Sequence, residues 1–193
     1  IGQAGRWRWH FESDGQGING DSAAPLELAD GLQARADASR QQTAVEVRED
    51  LDRVSACVAR RLGSRPVVEG VNQWPAGMGD SRLSHGQLLL AQSPDWDVAA
   101  TGVGRSARRA HIAELLARRV LIDASDLRQV PGYLWLSQGV AGAIGLLCVA
   151  DVDGPEARAA LVKLMADDLT RALGNDGEPV GTLADAREHG RAA

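Results

Sequence analysis

Thr101-Gly102-Val103-Gly104-Arg105 runs directly into a helix-forming segment, an arrangement whose backbone N–H groups and guanidinium can hold an anion at a helix N-terminus. Its spacing is that of neither a P-loop nor a dinucleotide fingerprint, so a plain helix entry capped near Ser106 competes with the anion site. Ser84-His85-Gly86 sets a hydroxyl beside an imidazole. Adjacent residues seldom face each other, and no G-x-S-x-G elbow supports a nucleophile there. His111 and Glu114, three apart on an expected helix, can share a face and hold a proton or a metal, but no second ligand pair stands near them. Asp151 and Asp153 follow an apolar run where paired carboxylates can hold a divalent ion. Asp153 is claimed by another role, because Asp153 and Glu156 stand at capping-box spacing with Pro155 fitting a first helical turn. Trp74 and Trp96 occupy polar loops, where an indole lines a pocket or a partner surface more often than on a helix. The ligand-binding set expected from the sequence is therefore Trp74, His85, Trp96 and Arg105, with no catalytic residue, metal ligand or cofactor assigned.

The elements that must position these residues follow from composition and period. A chain of 193 residues with 44% hydrophobic residues can bury one sizeable core. Its net charge of −5 argues against a duplex-DNA partner, which calls for a basic face. Lys163 is the single lysine, and the arginine preference fits a GC-rich, bacterial genome. Cys57 and Cys148 sit in apolar surroundings and read as buried free thiols. No apolar stretch reaches the roughly 20 residues that span a bilayer, so the expected location is the cytoplasm, with no membrane partner. Position 1 is Ile rather than Met, which leaves an upstream segment open.

Residues 6–12 alternate as a half-buried strand, and residues 13–22 read as a turn-rich loop. Residues 25–62 turn helical in composition, with Val47, Leu51, Val54, Val58 and Leu62 forming one apolar stripe and Gly63 a stop signal. Short strands are expected at 67–71 and 87–92, with a long loop between them, and a surface helix at 106–120. Residues 133–138 and 143–150 read as strands, the second buried on both faces. A closing helix over 155–173 would bury Leu161, Leu164, Met165, Leu169 and Leu173. The expected fold is α+β: a mainly antiparallel sheet of four to five strands flanked by a long N-terminal helix, a middle helix and a C-terminal helix. The domain boundaries are an N-terminal strand and loop at 1–24, one domain at 25–173 and a loose tail at 174–193.

Gly139 to Ala150, G-V-A-G-A-I-G-L-L-C-V-A, followed by helix 155–173, resembles the last strand pair and closing helix of GAF-type sensory domains. The opening W-R-W-H-F-E-S-D-G resembles the first strand and turn of some PAS domains. The resemblance implies a non-catalytic regulatory domain that senses a small ligand or mediates protein association, in signal transduction. The partners expected are a small-molecule ligand and a second copy of the chain through helix 25–63. Two other functions stay open: an enzyme acting on a small anionic substrate through Arg105 with His85 or His111, and a structural accessory subunit of a larger complex.

Overall fold

The computed structural model describes residues 7–13, 16–22, 26–27, 33–36, 41–74, 79–92, 102–123 and 132–176. Helices dominate, and the sheet is small and mixed, which corrects the expected antiparallel sheet of four to five strands. Strands β1 (Trp7–Ser13) and β2 (Gln16–Ser22) pair as an antiparallel hairpin, Trp7 opposite Ser22 and Ser13 opposite Gln16. The segment read as a loop at 13–22 is thus mostly the return strand. Within the stretch read as helical from residue 25 lie β3 (Leu26–Glu27) and β4 (Gln33–Arg35). With β5 (Gly70–Trp74), β6 (Arg82–Ser84) and β7 (Gln87–Ala91) they form a sheet of order β3-β4-β5-β7-β6. The β4–β5 and β5–β7 pairs are parallel, and the outer pairs are antiparallel.

Helix α1 (Gln41–Leu62) follows its sequence pattern closely. Val47, Leu51, Val54 and Val58 are all buried in the core, and Gly63 stops the helix at φ 67°, a conformation that favours glycine. Helix α2 (Gly102–Asp123) buries Ile112, Leu115, Leu116 and Val120. The sheet adds Val71, Leu88 and Leu90 to the same core.

The main departure lies in the C-terminal third. Residues 133–138 and 143–150, read as strands, are helical: a turn at Tyr133–Trp135 passes through a π-helical stretch, Leu136–Val140, into helix α3 (Ala141–Asp153). A run apolar at nearly every position is what a helix looks like when it is packed on several sides, and period alone cannot separate that from a buried strand. Its glycines decide the packing. A Cβ on Gly145 would stand 2.5 Å from the Ala110 carbonyl oxygen of α2, so the two helices approach as only a residue without a side chain allows. Trp135, within the residues read as a strand, is 60% exposed.

Helix α4 (Pro155–Asp176) begins where the sequence places it, with Glu156 in the first turn, and runs past Gly174. The Asp153 carboxylate is engaged by Ser106 and Arg109. Asp153 ends α3, and Gly154, at φ 97°, makes the corner. The stripe expected to be buried is mostly open, with the Leu173 side chain outside the described residues. Leu161 is buried, whereas Leu164, Met165 and Leu169 are exposed, and so is every residue of 162–171. No helix among the described residues is long and apolar enough to cross a membrane.

Candidate functional site

Arg105, Arg108 and Arg109 stand at i, i+3 and i+4 on α2 and therefore point to one side of it. That side faces α1, where Asp50 is fully buried. Asp50 accepts from Arg105 Nε at 3.0 Å, Arg108 Nε at 2.8 Å and Arg109 Nε at 2.7 Å. Glu49 takes a second bond from Arg105 at 3.0 Å, and Glu46 one from Arg108 at 3.5 Å. Arg109 also pairs with Asp153, which accepts from Ser106 Oγ at 2.7 Å. One buried carboxylate and its neighbours thus tie α1, α2 and the end of α3 together. The hydrogen bond to Asp50 raises Arg105 above the ordinary guanidinium range, with burial opposing it and Glu49 assisting, so Arg105 remains charged. Its charge is already met by protein carboxylates. Thr101 lies outside the described residues; from Gly102 on, the segment expected to hold an anion is the first turn of α2, with Arg105 turned toward α1.

The second constellation surrounds a disulfide. Cys57 of α1 is bonded to Cys148 of α3, with Cα atoms 5.6 Å apart and 91 residues between them in sequence. This corrects the reading of both as free thiols. Arg61, one turn beyond Cys57, directs Nε to the Cys57 sulfur at 3.4 Å and holds Asp151 through Nη2 at 2.9 and 3.0 Å. Arg60 adds a contact to Asp151 at 3.5 Å. Asp151 and Asp153 therefore serve separate arginine clusters. Glu114, the other carboxylate singled out beside a histidine, is paired with Arg118.

Two of the residues expected to bind a ligand, His85 and Arg105, lie apart. Trp74 ends β5 opposite Ala91 and stacks under Arg82, whose guanidinium carbon lies 4.7 Å from the ring centre. His85 occupies the β6–β7 turn at φ 48°, exposed, with Nδ1 3.0 Å from Ser84 Oγ. Its neighbour Gly86 lines a cleft with Arg119, which lies 14 residues along α2 from Arg105, about 21 Å at the helical rise. Trp96 lies outside the described residues.

What sequence reasoning missed is that cleft, of about 430 Å³, between the loop after α1, the β6–β7 turn and the last turns of α2. Arg65, Glu69 and Arg119 bring charge to it, and Leu83 and Val120 an apolar wall. Also missed was the uncovered stripe of α4: Val162, Leu164, Met165 and Leu169 are 43%, 48%, 59% and 57% exposed. The i, i+3, i+4 arginine spacing on α2 shows a shared basic face in the sequence but not that Asp50 answers it. Comparison of the chain with protein-family models, with curated proteins and with solved structures finds no match.

Proposed function

We propose that the chain is a non-catalytic association domain that pairs with a second copy of itself through α4. The observation that carries this reading is the exposure of every residue from 162 to 171 on a helix that carries Val162, Met165 and Leu169. Steps of three and four place those side chains on one stripe, the spacing of a coiled-coil seam. A lone helical segment of this length is marginal in water without a packed face, so the stripe calls for cover. A second copy supplies it most simply. Two-fold pairing of one patch with itself is the commonest oligomer geometry, and residues 162–171 are open to solvent for it. The stripe is short, which sets the affinity in the micromolar rather than the nanomolar range.

Helix 25–63 is a poorer pairing surface. The apolar stripe of α1 is consumed by the core, and its solvent side carries Glu49, Asp52, Arg53 and Arg60. A catalytic role loses its strongest support in Arg105, which Asp50 and Glu49 engage. The sensory reading drawn from Gly139–Ala150 rested on strands where the chain is helical, and the observation that still favours a small ligand is the cleft at Arg65 and Glu69. For the compartment, the Cys57–Cys148 bond supports an oxidising environment over the cytoplasm, where thiols are kept reduced.

Sedimentation equilibrium across a hundredfold range of protein concentration tests the pairing. The weight-average mass should climb toward that of a dimer, and a monomer's mass throughout would reject self-association.

A further inference from the structure

The cleft beside the β6–β7 turn carries the Glu69 carboxylate on its rim. Glu69 N and Gly70 N donate to the Gly86 carbonyl at 2.8 and 3.4 Å, which locks the end of the loop after α1 onto the turn. The Glu69 side chain lies over Gly86 so closely that a Cβ there would stand 3.0 Å from its Cδ and 3.1 Å from Oε2. Gly86 is needed for φ 74°, and its missing side chain leaves room for the Glu69 carboxylate above it. The last carbonyls of α1, just before Ser64 and Arg65, add the negative end of a helix dipole to the same rim. Arg65 and Arg119 also line the cleft, with Leu83 and Val120 forming the apolar wall.

We propose that this cleft takes a small zwitterion with an aliphatic side chain, a free α-amino acid of leucine's kind. Its ammonium is held by Glu69, its carboxylate by Arg65, and its side chain lies on Leu83 and Val120. Opposite charges on one rim discriminate against simple anions and simple cations alike, because each places one like charge beside it. A volume of about 430 Å³ sits at the small end of ligand sites and leaves room for one such molecule with water. The guanidinium fork suits a carboxylate, which it can grip through two parallel bonds.

The test is an NMR shift titration of the full chain with four probes: leucine, leucinamide, N-acetylleucine and glycine. Leucine should give saturable shifts centred on residues 64–69, 83–86 and 119–120, with binding at least tenfold tighter than for each of the other three. Glu69→Gln and Arg65→Ala, both at exposed positions, should each weaken leucine about tenfold while the spectrum elsewhere stays unchanged. N-acetylleucine binding as well as leucine would overturn the zwitterion, leaving an anion site. Leucinamide binding as well would overturn it in favour of a cation site. No saturable shift with leucine, or equal binding to both variants, would remove the site. None of these outcomes depends on α4, so the association reading stands or falls separately.

Discussion

Gly145 of α3 and Ala110 of α2 meet backbone to backbone, with space for no atom between the glycine Cα and the alanine carbonyl beyond a hydrogen. This contact fixes how closely the apolar helix enters the core, since the carbonyl oxygen cannot yield as a flexible side chain would. Gly145→Ala should therefore push the helices apart and destabilise the protein by about 1–3 kcal/mol. Gly142, on the same helix with nothing within 4 Å of a built Cβ, is the control. Gly142→Ala should stabilise by up to about 1 kcal/mol through helix propensity. Urea unfolding of the two variants checks the opposite signs.

Asp50 is the second point where one atom group holds several elements. Asp50→Asn keeps the shape but leaves the guanidinium groups of Arg105, Arg108 and Arg109 without their shared counter-charge, two of them buried. Removing one member of a buried ion cluster costs about 3–5 kcal/mol. Arg105→Ala should cost much less, because its side chain is 29% exposed and Asp50 retains two other arginines. Equal losses for the two variants, measured by denaturant midpoint, would contradict this account of the network.

The Cys57–Cys148 bond closes a large loop between α1 and α3. Reduction should lower stability by about 2–4 kcal/mol, chiefly by releasing the unfolded chain from that constraint. Thermal melting with and without a dithiol reductant reads this directly. A melting temperature indifferent to reductant, with two alkylatable thiols in the untreated protein, would show that the bond does not form.

Much of the chain's local order was legible in its residues. The α1 stripe from Val47 to Leu62, the Gly63 stop, the β7 strand and the start of α4 at Pro155 all follow from period and end signals that act within a few residues. The fold class was not legible, because α3 is apolar all round and its identity as a helix is decided by packing on α1, α2 and α4 rather than by its own period. The exposure of Met165 and Leu169 was equally hidden, since an amphipathic stripe states that a face wants cover and not what supplies it. Arg105 was recognised as a charge near a helix start, but its partner Asp50 lies 55 residues away, beyond any local rule. The sulfur pairing was hidden for the same reason, with Cys57 and Cys148 brought together only by the helix crossing.

Val162, Met165 and Leu169 of α4 are the side chains through which we propose that two copies pair. Sedimentation velocity of the Met165→Glu/Leu169→Glu double variant beside the parent chain tests this pairing most directly, because both positions are exposed and the change should leave the monomer's fold intact. The account predicts a parent whose sedimentation coefficient rises with concentration and a variant that stays monomeric with an unchanged melting temperature at low concentration. A variant that associates as the parent does would contradict it.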